Sequence, residues 1–200
     1  MPKRRTQTRK VAGPAEERDG FKFRAGRLAL DFVATVAGRL KPVPTDLFAT
    51  PRDLERWLAA AELELPSSVR ATSRTLADAR SLRESLYRLF ISCLRGEPYS
   101  AADRAIVNRW AAKAVPAPQV GFTGDDPVRW TRRDLSVCLA AIARDGVTLL
   151  AEPLSHRIRN CARDGCAILF VDSSRSGERR WCSMTACGNK AKVARFRARA

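Results

Sequence analysis

Between residues 21 and 150, apolar side chains recur mostly at helical spacing. A period near 3.6 predicts amphipathic helices that each bury one stripe. Leu28, Phe32, Val33 and Val36 place a helix over roughly 27–37, and Asp31 inside that run awaits an arginine or backbone donors. The segment from Gly38 to Pro44 is rich in breakers and reads as a loop. Thr50-Pro51-Arg52-Asp53 reads as a helix start, because threonine caps, proline suits the first turn and Asp53 completes a capping box. Leu54, Trp57, Leu58 and Ala61 form the apolar face behind it. A long helix is expected over about Ser68 to Leu94, with Val69, Leu76, Ala79, Leu86, Phe90 and Cys93 on one stripe and Gly96 as its stop. Ser100 and Asp103 open another, facing inward with Ile106, Val107 and Trp110. Thr131 and Asp134 open the next, with Leu135, Cys138, Leu139 and Ile142 inward and Gly146 as a point of interruption.

Alternation with period two is confined to short runs. Phe21 and Phe23 alternate with Lys22 and Arg24, which predicts a short strand. Val120 with Phe122, and Val128 with Trp130, flank the turn sequence from Thr123 to Pro127 as a small β-hairpin. Residues 1–20 lack a period and contain Gly13 and Pro14, so they read as a disordered basic arm. The faces carrying Trp57, Leu86, Phe90, Trp110 and Leu139 are expected to share one core.

The C-terminal stretch follows a different logic. Four of the six cysteines form two pairs, Cys161 with Cys166 and Cys182 with Cys187. Each pair encloses four residues, and fifteen separate the pairs. Zinc takes four thiolates in a tetrahedron, and a link of this length folds back as a short hairpin to bring two pairs together. Disulfides are the other reading, but they need an oxidising compartment. No apolar run follows the basic residues at the start of the sequence, as a secretory signal requires, and no stretch suits a transmembrane helix. Cys93 and Cys138 lie on apolar helix stripes and read as core residues. His156, five residues before Cys161, could in principle replace a cysteine, but four thiolates already fill the site. Phe170 and Trp181 read as the small core of the metal module, and Asp172 as an acceptor for turn amides or an arginine.

Charge sharpens this picture. The net charge is +16, with five basic and no acidic residues in 1–10 and eleven basic against three acidic in 157–200. The intervening 146 residues carry only +3. A basic excess that coincides with a metal module is the footprint of a polyanion binder. Arg175, Arg179 and Arg180 lie on the link between the cysteine pairs. Lys190, Lys192, Arg195 and Arg197 lie on a final helix expected over Ser183 to Ala200, around Val193 and Phe196.

The same residues carry a resemblance. Arg180-Trp181-Cys182-Ser183-Met184 followed by Cys187-Gly188-Asn189-Lys190, with Cys161, Cys166, Phe170, Asp172 and Ser173 upstream, is similar to the CGNR zinc finger. Lys190 stands where that motif has arginine, which keeps charge but not the bidentate fork. Leu30-Asp31-Phe32-Val33-Ala34-Thr35, Asp46-Leu47, Leu54 and Trp57-Leu58 resemble the ABATE domain that precedes this finger in a bacterial family of stress-induced transcription regulators. Ala34 stands where that family usually has asparagine. Together the resemblances cover about residues 21–195.

The expected architecture is mainly α: a helical domain at 21–152 with one small β-hairpin, then a zinc finger at 153–200 built from two cysteine knuckles, a short hairpin and a terminal helix. One structural zinc is expected on Cys161, Cys166, Cys182 and Cys187. The resemblance implies a DNA-binding regulator in the bacterial cytoplasm, at the nucleoid. Its helical domain would sense a signal or dimerise, which leaves a homodimer and a small-molecule effector open as partners. RNA binding, and a protein-interaction module with a purely architectural zinc, remain alternatives. Enzyme activity is not expected: there is one histidine, no GxxxxGK[ST] loop, no GxGxxG after a strand, and no open zinc position.

Overall fold

The computed structural model describes residues 16–63, 65–66, 68–114, 118–124, 126–130, 134–151 and 153–198. Strands β1 (Glu16–Arg18) and β2 (Phe21–Phe23) pair antiparallel through the two-residue turn Asp19-Gly20. Both turn residues have positive φ, 48° and 77°, as a primed hairpin turn requires. The basic arm expected through residue 20 therefore gives way to a strand at Glu16. An Asp-Gly dipeptide before alternating aromatics was the signal for it. The arm's residues 1–15 lie outside the described residues.

Helix α1 (Leu28–Val33) is shorter than the expected 27–37. Thr35 closes it, with its hydroxyl donating to the Phe32 carbonyl at 2.7 Å. Val36, counted as helical from its spacing, instead opens β3 (Val36–Ala37), which pairs with β4 (Thr45–Asp46). Buried Asp31 accepts from the amides of Arg24 and Ala25 at 2.8 and 2.9 Å, so it takes the backbone-donor role. Helix α2 (Pro51–Ala60) starts with the expected Thr50–Asp53 capping box. Helix α3 (Ser73–Arg95) starts later than expected, because Thr72 and Thr75 cap each other's backbone reciprocally. Gly96 ends it in the left-handed region, as its position implied. Helix α4 (Ala101–Ala111) is capped by Ser100.

Strands β5 (Pro118–Thr123) and β6 (Asp126–Trp130) form the expected hairpin. Helix α5 (Leu135–Ala151) follows, its first amides met by the Asp134 carboxylate; Thr131 lies outside the described residues. Gly146 does not interrupt α5. It is a buried point of close approach, where an added Cβ would stand 2.5 Å from Leu86 Cδ2 and 3.5 Å from Ala29 Cβ. Leu86 is fully buried and has no room to turn away. Gly146→Ala should therefore lower stability by about 1–2 kcal/mol, overpacking outweighing the gain of up to about 1 kcal/mol in helix propensity. Denaturant midpoints check this, with Gly124→Ala as a neutral comparison, since its Cβ would meet nothing within 4 Å.

Trp57, Leu86, Phe90, Trp110 and Leu139 do share one buried core. Phe32, Phe48 and Trp57 pack at centroid distances of 5.2–6.0 Å in tilted and edge-on pairs. Arginine–carboxylate pairs brace the helices around them. Arg83, buried on α3, grips Asp46 at 2.7 and 2.8 Å, and Arg88 holds Asp103 between α3 and α4. That guanidinium keeps the Asp103 carboxyl below the usual carboxylate range. Arg27 and the amide of Ala29 both bind Asp145, tying the start of α1 to α5.

The core does not stop at α5. Strands β7 (Ile158–Asn160) and β8 (Leu169–Val171) pair antiparallel, and fully buried Ile158 and Phe170 belong to the same apolar cluster. The amide of Val171 donates to the carbonyl of Ala25 at 2.9 Å. The C-terminal hairpin is thus docked on the segment between β2 and α1. None of the described helices is long and apolar enough to cross a membrane.

Candidate metal centre

The β7–β8 hairpin sets the first cysteine knuckle. Cys161 follows β7, and its amide donates to Ile168 at 3.0 Å, while Cys166 donates to Arg163 across a turn eased by Gly165 at φ 70°. After β8, the link is organised by Asp172, which is fully buried. Its carboxylate accepts from the amide and hydroxyl of Ser174 at 2.9 and 2.6 Å and from the amide of Arg179 at 2.8 Å. Burial pushes its pKa up, but these hydrogen bonds outweigh it, and the carboxyl lies below its ordinary value. The sequence expectation of turn amides as its partners holds. The backbone of Ala162 then bonds to Arg180 at 2.8 Å, laying the link against the first knuckle.

The second knuckle is a single wide turn, Met184–Gly188, capped by Ser183. The Ser183 carbonyl accepts from the amides of Cys187 and Gly188 at 2.9 and 3.0 Å. Helix α6 (Asn189–Arg197) runs on directly from it, so the helix expected from Ser183 is present, its first turn wound as a π-helix and the rest as an α-helix.

All four cysteines are buried, and their sulfurs lie within 4.8 Å of one another. Cys182 is 3.5 Å from Cys187 and 4.0 Å from Cys166, and Cys166 is 3.8 Å from Cys187. A tetrahedron with zinc–sulfur bonds of about 2.3 Å has edges of about 3.8 Å, so the donor set fits one zinc ion. Disulfides are excluded: all four are free thiols, far beyond the bonded distance of about 2.05 Å.

The electrostatics agree. A hydrogen bond from Cys182 brings the Cys166 thiol down to about 4, while that same contact and burial push Cys182 far up. Burial also raises Cys161. The pocket stabilises a first thiolate and resists the next, as expected of a site that needs a dication to hold four. Donors face the sulfurs from outside: the Cys182 amide to Cys161 at 3.5 Å, Arg163 Nε to Cys187 at 3.2 Å, and the amides of Arg163 and Ile168 to Cys161 and Cys166. Sequence reasoning overlooked Arg163. A basic residue inside a four-residue knuckle was its signal, since a zinc tetrathiolate carries excess negative charge. His156 is exposed and stands outside the cluster.

Phe170 is fully buried and Trp181 partly so, consistent with a small module core. The seven basic residues singled out for DNA divide. Arg179 is turned inward: its guanidinium lies 4.7 Å over the Phe170 ring and donates to the carbonyls of Trp181 and Cys182. It holds the second knuckle. Arg175, Arg180, Lys190, Lys192, Arg195 and Arg197 are exposed. Among the described residues none of these six has an ion-pair partner. Helix α6 buries none of its residues, and Phe196 is 77% exposed.

Comparison with known families fits this anatomy. Residues 26–153 match the ABATE model, described as "putative stress-induced transcription regulator". Residues 157–200 match the CGNR zinc finger. No curated protein matches the chain. With its helical body and its four-cysteine zinc module both accounted for, the chain belongs to the ABATE family and carries a CGNR zinc finger over residues 157–200.

Proposed function

We propose that the protein is a zinc-dependent, DNA-binding transcriptional regulator of the cytoplasm, associated with the nucleoid, that contacts DNA through its finger. The observation that carries this reading is the set of six exposed cations on the link and on α6, without ion-pair partners among the described residues and with Arg180 resting 5.2 Å over the Trp181 ring, next to a closed metal site. Lone arginines and lysines on a solvated surface neutralise phosphates by releasing counterions. Arg179, engaged with the finger's own carbonyls, supports the knuckle in this reading and leaves Arg180 as the residue for a base contact. The zinc is structural, because four thiolates leave no position for a reacting water, and the protein is not an enzyme. The helical body senses a signal or dimerises.

The test is binding of the zinc-loaded protein to genomic duplex fragments, with and without a chelator, in a salt series. Saturable binding that weakens steeply with salt and disappears on zinc removal is the expected result. Tighter binding to RNA of the same length would favour an RNA partner. Absence of binding to either would leave the finger as a protein-interaction module.

A further inference from the structure

A cavity of about 380 Å³ opens between the β2–α1 segment, the β3–β4 hairpin and the first cysteine knuckle. That is the size of a small-molecule site, at a junction between two packed units where such sites concentrate. Its wall carries four cations: Lys22, Arg24, Lys41 and Arg163. Two carboxylates face them, Asp31 and Asp164. One oxygen of Asp31 is already held by two backbone amides.

Arg24 sets the cavity apart. Its Nε is buried and has no hydrogen-bond partner. Arg18 and Arg39 also have a buried Nε without a hydrogen bond, yet each pairs with a carboxylate through a terminal nitrogen, Glu62 and Glu84 respectively, and the Nε of Arg80 itself lies 3.3 Å from Asp46. Among the described residues, the Arg24 guanidinium makes no side-chain hydrogen bond or ion pair. Buried donors are normally satisfied, and the Arg24 guanidinium lines the cavity with no carboxylate partner among the described residues, so its terminal nitrogens remain for an acceptor there. Lys22 and Lys41 are exposed at the same cavity, also without ion-pair partners among the described residues. Arg163 is set against the thiolates of Cys166 and Cys187 that also line the wall, so Lys22, Arg24 and Lys41 against Asp31 and Asp164 leave one positive charge in excess, which favours an anion such as a phosphate monoester. Phe21, Leu47 and Ile168 supply an apolar wall for the rest of such a molecule.

We propose that this cavity binds a small organic phosphate monoester, its phosphate held by Arg24, Lys22 and Lys41 and its body against the apolar wall. Arg163 also lines the cavity while its Nε holds Cys187, so the occupant touches both the helical body and the metal knuckle. This site stands independently of DNA binding, and its test needs no DNA.

The test is calorimetric titration of zinc-loaded, full-length protein with phenyl phosphate, inorganic phosphate, benzoate and phenol. It is run at roughly 0.15 M salt, where the screening length is about 8 Å and diffuse surface binding is suppressed. Phenyl phosphate should saturate at one per chain and bind more tightly than inorganic phosphate or benzoate, with no binding of phenol. Arg24→Gln and Lys41→Gln should each weaken it about tenfold, the scale of one charge-assisted contact. Arg104→Gln, exposed on α4 away from the cavity, should leave it unchanged. Lys22→Gln and Lys41→Gln alter exposed positions, so they keep the test intact if Arg24→Gln does not fold. Absence of saturation, tighter binding of benzoate, or unaltered affinity in Lys22→Gln and Lys41→Gln would each overturn the proposal. So would several weak sites lost equally in Arg104→Gln, which would mean an adventitious ion only.

Discussion

Replacing Cys182 and Cys187 together by serine should reduce bound zinc from one equivalent per chain to nearly none and unfold the finger. The two residues supply half of the tetrahedron, and Cys182 has the sulfurs of both Cys166 and Cys187 within 4.0 Å. Structural zinc contributes roughly 10–16 kcal/mol of apparent binding energy in zinc-finger peptides, which is folding energy for a module with so small a core. Here the loss should also reach the body, because Ile158 and Phe170 are buried in the common cluster and Val171 bonds to Ala25. Most of the far-ultraviolet helical signal should nonetheless persist, since α1 to α5 hold most of the helix and retain Leu86, Phe90 and Leu139 in contact. A large fall in the thermal midpoint with modest loss of helicity is the expected pattern, and chelation of the wild-type protein should reproduce it. Full zinc content in the double variant would sink the assignment of these ligands.

The metal ligands could be read from the sequence because their information is local: two spacings and a link length suffice. Helix identity was legible for the same reason. The stripes of α2, α4 and α5 are short-range patterns, and capping residues such as Thr50 and Ser100 mark starts within four positions. Boundaries failed where a tertiary partner decided them. Val36 has helical spacing, yet the pairing of β3 with β4 claims it. Gly146 reads as a breaker in isolation, and only the approach of Leu86 and Ala29 explains why the helix continues through a glycine. The β1 strand could have been found, since Asp19-Gly20 is a hairpin signal, but the basic residues before it suggested an arm. Arg179 shows the limit of charge counting. Its neighbours Arg175 and Arg180 are exposed, whereas its own guanidinium closes over Phe170, and nothing in the composition separates the three. The cavity beside the first knuckle draws on residues from 20 to 187 and has no local signature.

Removing the six exposed cations should abolish duplex binding while leaving zinc in place, because none of them has an ion-pair partner within the described part of the protein that it would destabilise. The single replacements separate their roles. Lys192→Ala or Arg195→Ala on α6 should weaken binding to all sequences alike, and the dependence of log K on log salt should become shallower by about 0.9 per lost phosphate contact. Arg180→Ala should cost about 1–3 kcal/mol against the preferred sequence and relax discrimination at one base pair, since arginine can take guanine bidentately. Arg179→Ala should behave differently from both. It removes the donors to the Trp181 and Cys182 carbonyls, so it should lower the finger's stability and zinc retention and leave the salt slope of the folded fraction unchanged. The readout is affinity for target and scrambled duplexes, and for RNA of equal length, across a salt series with zinc content measured in each variant. If the six-cation variant retains zinc, affinity and slope, nucleic acid does not bind this face. The module then serves protein contacts, and exposed Val193 and Phe196 on α6 become the residues to test.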